Sequence, residues 1–330
     1  MNTGGNVWYQ MRPNKFVDRR LFVEFLTRCV PVLGADKYIY TSMGGSHLVD
    51  HYAVYQQVGI KSLFSFDREQ ASIARQLINQ PIDSCICERM DSNELAGKIP
   101  SLLEIFDGTT NVVAWLDYTS ADRFQQLSEF ENVLSELAPG DVCRITINAD
   151  PRNIGGDGEK WRREKFKSPG AYRANKLRTA LGRYYDSDLK EVAEEAVPAA
   201  LSHAIQIAAS RASLTAGDVA FAPVLLTTYK DGQRMFSATV YAHREGAMPP
   251  SILNWEYLPT DWDDVLSIDV PELSTREKIA IDDCLSRTPQ AILESISFVP
   301  GADDLAAIQA LESYKHLHRF VPAFQHIDLQ

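Results

Sequence analysis

The sequence predicts an α/β fold: a doubly wound, mostly parallel sheet closed by an antiparallel hairpin, with an appended C-terminal helical region. Short β-rich runs alternate with helical patterns from Lys37 to Asn148, and such alternation builds a parallel sheet through right-handed crossovers. Asn111–Leu116 is a nearly continuous apolar run, which is typical of a strand covered on both faces. Val219–Thr228 and Met235–His243 are β-rich runs that flank an Asp-Gly pair, and this pair indicates an antiparallel hairpin.

The parallel part of the chain contains five strand candidates. Each is a short run rich in apolar and β-branched residues with turn residues around it. The five runs are Lys37–Thr41, Ser62–Phe66, Ser84–Cys87, Asn111–Leu116 and Asp141–Asn148.

Helical patterns fill the gaps between these strands. Their apolar stripes comprise Leu48, Val49, Tyr52, Ala53 and Gln56; Ile73, Ala74, Leu77 and Ile78; and Phe124, Leu127, Phe130, Val133, Leu134 and Leu137. A further helix covers Glu94–Phe106, where Pro100 favours a break. In the second half, Asp188–Ser210 is helical in pattern, and Pro198 is expected to kink or divide it.

The element order predicts three segments. Residues 1–36 form an N-terminal helical extension, residues 37–249 a Rossmann-like domain with a basic insert at about 153–185, and residues 250–330 a C-terminal helical region. Five parallel units, a helix and a closing hairpin are the element order of Rossmann-like methyltransferases, whereas dehydrogenase folds continue with a sixth parallel strand.

Composition excludes several classes of protein. The chain has 330 residues, of which 45% are hydrophobic, so it can bury a sizeable core without disulfides. No apolar run is long enough for a membrane helix, and the N-terminus lacks the apolar region of a secretory signal. Five scattered cysteines are typical of reduced thiols in a cytoplasmic protein. A net charge of −11 argues against a whole-surface nucleic-acid binder.

The predicted ligand site lies at the carboxyl ends of the strands, near the switch point beside the first strand. Ser42-Met43-Gly44-Gly45-Ser46 forms a turn there, and its glycines let a ligand approach the backbone. Asp67 ends the second strand about twenty residues later, where a carboxylate can accept hydrogen bonds from both hydroxyls of a ribose. Turn and acid together indicate a nucleoside-bearing ligand, although an ordinary βα turn is the alternative. The turn is not GxGxxG, which disfavours a dinucleotide.

The ends of the third and fourth strands supply further candidates. Asp91, with Ser92 beside it, is placed to hydrogen-bond an adenine amine or, alternatively, to cap the next helix. Asp117 and Tyr118 end the fourth strand, where Asp117 can act as a base and Tyr118 can wall the substrate pocket.

Metal sites are the less favoured interpretation of three other groups of residues. Asp117, Asn148 and Asp150 offer oxygen ligands suited to Mg²⁺, but solvated loop acids are the alternative. His47 and His51, with Asp50 between them, have a spacing that suits Zn²⁺ on one helical face, but a polar helix face opposite the apolar stripe is the favoured interpretation. Cys85 and Cys87 have no partner pair elsewhere in the sequence. No metal is predicted.

The segment 159–183 is basic, although the whole chain is acidic. It holds Lys160, Arg162, Arg163, Lys165, Lys167, Arg173, Lys176, Arg178 and Arg183 against Glu159 and Glu164, with aromatic residues interleaved. The cations at 160–167 indicate either a contact surface for RNA or another acidic partner or a solvated face that pairs with the protein's own acids.

Several short motifs occur in an order that resembles a known family. They are Tyr40-Thr41-Ser42-Met43-Gly44-Gly45-Ser46, Ser65-Phe66-Asp67-Arg68-Glu69, Asn79-Gln80-Pro81, Trp115-Leu116-Asp117-Tyr118 and Thr146-Ile147-Asn148-Ala149. Together they resemble a bacterial Rossmann-fold family labelled putative O-methyltransferase. The resemblance implies that the turn, Asp67 and Arg68 bind S-adenosylmethionine, and that Asp117 and Tyr118 face the substrate. The usual acidic, glycine-rich form of the turn is reduced here to Met43-Gly44-Gly45-Ser46.

Two functions of different class follow from these patterns. The first is a cytoplasmic S-adenosylmethionine-dependent methyltransferase of unknown substrate, more consistent with an oxygen acceptor because no Asn/Asp-Pro-Pro-Tyr motif is present. Its substrate is a small molecule or a nucleic acid or nucleotide. The alternative is a non-catalytic Rossmann-like module that binds a nucleotide or partner through the basic segment 159–183. No membrane partner is expected.

Overall fold

A computed structural model describes residues 12–155, 158–244 and 247–322 of the chain. Its eight strands form one sheet in the order β3-β2-β1-β4-β5-β7-β6-β8. The strands are β1 Tyr38–Ser42, β2 Ser62–Asp67, β3 Ile86–Arg89, β4 Asn111–Asp117, β5 Val142–Asn148, β6 Ala220–Asp231, β7 Gln233–His243 and β8 Leu266–Ile268. The α/β fold class predicted from the sequence is confirmed.

The register of the parallel strands brings their carboxyl ends to one edge of the sheet. β1 lies between β2 and β4 and runs parallel to both, so that Ser42 is aligned with Ser65 and Trp115. The chain runs from β1 to β2 and β3 on one side of β1 and then crosses to β4 on its other side. This reversal of strand order makes the carboxyl edge beside β1 the switch point. Asp117 at the end of β4 is aligned with Thr146 of β5.

The antiparallel part of the sheet is the predicted hairpin. β6 and β7 are joined by Gly232 alone, whose φ of 100° suits glycine. β7 then pairs antiparallel with β5, from Val142 opposite Tyr241 to Asn148 opposite Met235. Both strands are longer than predicted, because pairing continues into the residues expected to form the turn.

Helices connect the strands and follow the sheet in the C-terminal part. They are α1 Pro13–Cys29, α2 Val49–Ala53, α3 Gln70–Ile78, α4 Leu95–Ile105, α5 Arg123–Ser135, α6 Lys160–Arg163, α7 Pro169–Leu181, α8 Val197–Thr215, α9 Pro250–Leu253, α10 Thr275–Asp282, α11 Pro289–Ser295 and α12 Asp304–Leu317. α5 packs against α8 over the sheet. In the described ranges, the helices fall short of the length and apolarity that crossing a membrane requires.

Two proline predictions were wrong. α8 begins at Val197 rather than near Asp188, and Pro198 lies in its first turn, where the missing N–H of proline costs no hydrogen bond. Pro198 therefore starts this helix and does not divide it. α4 continues through Pro100 without a break, so the helix tolerates the loss of one internal hydrogen bond.

The described residues divide into two compact units. One takes in residues up to Leu21, Tyr229–Gly232 and residues from Ser267 onward; the other comprises Phe22–Thr228 and Gln233–Leu266. Asn14 ties the first unit together, because its amide donates to Asp231 Oδ1 at 3.1 Å and accepts from Val270 N at 2.8 Å. The segment boundaries predicted near residues 36 and 249 stay predictions, and residues 1–11 and 323–330 of the two terminal segments lie outside the described residues.

Candidate active site

The glycine turn, residues 43–46, follows β1 directly. Gly44 and Gly45 have φ values of 54° and 57°, in the left-handed region that glycine adopts without steric cost. Gly45 N donates to Met43 O at 2.5 Å, so the chain reverses within three residues. Leu48 has a φ of 50° and ends the loop just before α2. The turn predicted between the first strand and the first helix is present.

Gly44 packs closely against β2. A Cβ at this position would collide with Ser65 Oγ and lie 2.7 Å from Leu48 Cδ2. Gly44 N donates to Ser42 Oγ at 3.0 Å. Ser42 is only 1% exposed, so its hydroxyl holds the turn from the buried side.

α3 holds the turn from its other side. The side-chain amide of Gln76 donates to Gly45 O at 3.1 Å, and that of Asn79 donates to Ser46 O at 3.0 Å. Two carbonyls of the turn are thereby fixed. In the sequence, Asn79 only indicates the end of a helix, because a sequence does not show which loop a helix-end amide will reach.

Asp67 ends β2 and is half-buried. Its Oδ1 accepts a hydrogen bond from Glu69 N at 2.8 Å. The next residue in the chain, Arg68, belongs to the wall of a cavity of about 560 Å³ at the carboxyl ends of β2 and β3. That cavity is lined by Arg68, Glu69, Arg89, Met90, Asp91 and Glu94. Two of the predicted cofactor residues, Arg68 and Asp91, are therefore brought to one cavity.

Asp91 has the capping role that was the alternative to an adenine contact. Its side chain and that of Glu94 form a capping box, in which Asp91 N donates to Glu94 Oε1 at 3.0 Å. A carboxylate has lone pairs for more than one donor, so the cap is compatible with the position of Asp91 in the cavity wall. Ser92 follows Asp91 directly and begins the short 3-10 helix Ser92–Glu94.

Asp117 and Tyr118 lie at the end of β4 in different environments. Asp117 is half-buried, whereas Tyr118 is 7% exposed. The Tyr118 hydroxyl donates to Glu129 Oε2 at 2.5 Å. Burial and the neighbouring Glu129 carboxylate raise the pKa of Tyr118, so the phenol keeps its proton. Tyr118 can shape a pocket, but it is a poor base.

A buried polar network behind the turn was missed by the sequence analysis. Asp50 Oδ2 accepts hydrogen bonds from the hydroxyl of Tyr40, at 2.7 Å, and from that of Ser42. His51 Nε2 lies 3.0 Å from Phe64 O, and its Nδ1 lies 3.4 Å from Asp50 Oδ1. The helical pattern had placed Asp50 and His51 on a polar, outward face, but both are buried.

The surroundings of His51 favour its charged form. Burial alone would lower its pKa, but the charge and hydrogen bond of Asp50 and the carbonyl of Phe64 outweigh burial and raise it. Both ring nitrogens face acceptors, which is the arrangement of a doubly protonated ring. Asp50 and His51 are therefore buried neighbours, and the carboxylate of Asp50 raises the pKa of His51.

Residues from two of the groups weighed as metal ligands have other partners. His47 contacts Arg75 at 3.3 Å, and Asp150 pairs with Arg152 at 2.6 Å. The backbone carbonyl of Asn148 accepts from the Arg123 guanidinium. Within the described ranges, no three His, Cys, Asp or Glu side chains form a metal-binding group.

The basic segment begins after the end of β5, and residues 159–167 are mostly exposed. Further along the segment, Arg173 is buried and pairs with Glu194 at 2.9 Å. Arg162 pairs with Glu159 at 3.3 Å. Arg163, Lys165 and Lys167 are exposed and make no ion pair with any residue that the structure describes. Lys165 has a φ of 63°, a strained conformation for a lysine. Residues 156 and 157 of the turn-rich stretch before this segment lie outside the described residues.

Similar solved structures include an S-adenosylmethionine-dependent methyltransferase from Anabaena variabilis, 9% identical, covering 70% of this chain and 87% of that chain with a TM-score of 0.36. Another is the O-methyltransferase from Bacillus cereus in complex with S-adenosylhomocysteine, 12% identical, covering 72% and 83% with a TM-score of 0.37. No curated protein matches the sequence.

A family model described as putative O-methyltransferase matches residues 7–329. The match covers nearly the whole chain and confirms the resemblance predicted from the ordered motifs. The chain therefore belongs to the putative O-methyltransferase family.

Proposed function

We propose that this protein transfers a methyl group from S-adenosylmethionine to an oxygen atom of a small molecule. One observation carries the proposal: the left-handed Gly44-Gly45 pair ends β1 at the switch point, and Asp67 ends the neighbouring strand β2. This edge of an open α/β sheet is where ligands bind. Membership of the family supports the reaction class.

The residues at this edge fit the cofactor. Asp67 Oδ2 has no partner among the described residues, so it can accept from ribose hydroxyls. We expect the amino-acid part to lie against the backbone of the glycine turn, and Met90 offers the adenine an apolar wall in the cavity beside Asp67. Asp91 can accept from the adenine amine. The bound cofactor supplies a methyl group on a sulfonium, and the sulfur leaves as a neutral thioether when the methyl group is transferred.

At the end of β4, Asp117 is the proposed base. Methyl transfer requires the acceptor oxygen, the methyl carbon and the sulfur to be aligned and kept from water. A carboxylate next to the acceptor can take the proton that the oxygen loses. Tyr118 keeps its proton, so its proposed role is to form the wall of the substrate pocket.

The test is calorimetry with S-adenosylmethionine and S-adenosylhomocysteine. Asp67→Ala removes charge-assisted hydrogen bonds to the ribose and should raise Kd about tenfold to a hundredfold. Asp107→Ala is the matched control, because Asp107 is an exposed acid in the turn before β4, at the opposite edge of the sheet. Wild-type protein that binds neither compound better than about millimolar would overturn the proposal.

A second candidate function is a non-catalytic module that binds RNA or another acidic partner. The observation that favours it is the set of exposed, unpaired cations Arg163, Lys165 and Lys167, next to the half-buried aromatic residues Trp161 and Phe166. Cations and aromatic rings together are the groups that bind single-stranded nucleic acid. Reversing the charge of cations in this stretch tests the candidate, because it should abolish binding of a polyanion.

The five cysteines are free thiols. Three of them, Cys29, Cys85 and Cys143, are buried. Unpaired thiols persist in reducing compartments, and on this ground we include a cytoplasmic location in the proposal.

A further inference from the structure

The buried carboxylate of Asp50 lies behind the glycine turn and is connected to it through one side chain. We propose that Asp50 is a positioning residue: acting through Ser42, it holds the backbone of the glycine turn in the conformation that receives the cofactor. The inference rests on the proposed function for the identity of the ligand. Asp50 itself does not face the ligand side, since it is 7% exposed and its partners are protein groups.

The hydrogen bonds between Asp50 and the turn have a fixed direction. A carboxylate can only accept, so the Ser42 hydroxyl must give its single proton to Asp50. The lone pairs of the same oxygen then face Gly44 N, which donates to it at 3.0 Å. Without the carboxylate, the Ser42 hydroxyl is free to rotate, and the acceptor for Gly44 N is no longer oriented.

The surroundings keep Asp50 in this acceptor role. Tyr40 donates to the same oxygen, Oδ2, at 2.7 Å, and His51 Nδ1 lies 3.4 Å from the other oxygen, Oδ1. Two hydroxyl donors stabilise a charged carboxylate, and a neighbouring imidazole stabilises it further when it carries a proton. His51 is in turn held by Phe64 O on β2. The network thus connects α2 with both strands that meet beneath the turn.

The turn also has little freedom to relax in other ways. Gly44 is pressed against Ser65, and the carbonyls of Gly45 and Ser46 are held by α3 through Gln76 and Asn79. The amide of Gly44 is therefore the backbone group whose position depends on Asp50. A shift of that amide would move a left-handed glycine pair that a ligand must approach closely.

Three variants separate positioning from general stability. Asp50→Asn removes the fixed direction of the hydrogen bonds, and Ser42→Ala removes the acceptor for Gly44 N. Tyr40→Phe is the matched control, because it also deletes one hydroxyl donor to Asp50 Oδ2, whereas the acceptor for Gly44 N is the hydroxyl of Ser42. If Asp50→Asn fails to fold because it leaves His51 without its counter-ion, Ser42→Ala still tests the proposal.

Two measurements give distinct outcomes. Hydrogen–deuterium exchange of the unliganded protein should be faster in the peptide that covers residues 42–48 for Asp50→Asn and Ser42→Ala, and close to wild type for Tyr40→Phe. Calorimetry with S-adenosylhomocysteine should show Kd raised about five- to tenfold in the first two variants only, as expected for the loss of one orienting hydrogen bond.

The inference is overturned if exchange over residues 42–48 is unchanged in Ser42→Ala, or if Tyr40→Phe matches Ser42→Ala in both measurements. Failure of the proposed function gives a different result: the wild-type protein does not bind S-adenosylhomocysteine, while the exchange measurement still reports whether Asp50 and Ser42 hold the turn.

Discussion

Gly44 is the residue of the glycine turn with the least room for a side chain. Gly44→Ala should lower the free energy of unfolding by about 2–4 kcal/mol, because it combines a left-handed conformation with a collision against Ser65. Gly108→Ala is the control. Its φ is 81°, but a Cβ there meets no described atom within 4 Å, so only the conformational cost of about 1–2 kcal/mol applies. Denaturant unfolding measures the free energy of unfolding of both variants. Equal decreases for Gly44→Ala and Gly108→Ala would mean that Ser65 moves aside freely.

Asp117 provides the second prediction for a single residue. Asp117→Asn should keep the affinity for S-adenosylhomocysteine and lower turnover about 10²–10⁴-fold, because an amide has nearly the same shape but cannot take a proton. Turnover is measured as S-adenosylhomocysteine released in the presence of a panel of hydroxyl and carboxylate acceptors. Unchanged turnover would rule out Asp117 as the base, and loss of folding would assign it a structural role.

Among the strands, β4 and β5 are joined at their amino ends by Asp141. Its carboxylate accepts from Val112 N and Ala138 N, both at 2.8 Å, and from the Asn111 amide at 2.7 Å. Burial raises the pKa of Asp141 to about 6, against the opposing effect of these three donors. The folded protein therefore holds this proton more tightly than the unfolded chain does.

The sign of the pH dependence follows from that raised pKa. Protonated Asp141 contributes stability below about pH 4, and this contribution of about 3 kcal/mol is lost as the pH rises through 6. Asp141→Asn resembles the neutral form and lacks this dependence. We expect the wild type to lose stability relative to Asp141→Asn between pH 4 and 7 in denaturant unfolding. Asp107→Asn changes an exposed acid, so its free energy of unfolding should vary with pH as that of the wild type does. A difference in free energy of unfolding between wild type and Asp141→Asn that stays constant with pH would contradict the prediction.

The strands were predictable because their signals are local. The run at Asn111–Leu116 and the Asp-Gly pair at 231–232 locate β4 and the hairpin to within a few residues. β8, Leu266–Ile268, is only three residues long and gives no such pattern. The first residue of a helix is harder to predict, because a proline can either interrupt a helix or begin one. The sequence around Pro198 does not distinguish these two roles.

The glycine turn and Asp67 could be located from spacing, but the network beneath them could not. A helical period assigns Asp50 and His51 to a polar surface, since charged residues are seldom buried. They are buried because Tyr40, Ser42 and Phe64 supply partners from two strands. Such partners come from other parts of the sequence, so a local pattern does not predict them.

At the scale of the whole molecule, the charge distribution sets apart one segment. The chain carries a net charge of −11, so it repels polyanions except where cations gather. The exposed cations near residue 163 predict weak binding of single-stranded RNA. With three phosphate contacts, affinity should fall about twentyfold between roughly 50 and 200 mM salt.

Charge reversal tests the second candidate function. Changing Arg162, Arg163 and Lys165 to Glu should abolish RNA binding in a fluorescence anisotropy titration and leave the fold intact. A control with the same change in charge uses the exposed residues Lys61, Lys190 and Arg276, each changed to Glu. If the wild type binds no RNA at low salt, or if both variants lose binding equally, the segment is not a nucleic-acid contact.

The pairing of β7 with β5 has a consequence for how this chain can be cut. The exposed stretch 158–167 is rich in lysine and arginine and has only one short helix, α6, so limited trypsin treatment should nick the backbone there first. One fragment would then carry β1–β5 and the other β6–β8. The seven-residue ladder from Val142 to Asn148 and the packing of α5 on α8 cross the nick. The two fragments should co-elute in gel filtration, and this stretch is the place to divide the fold into separately expressed halves that reassemble.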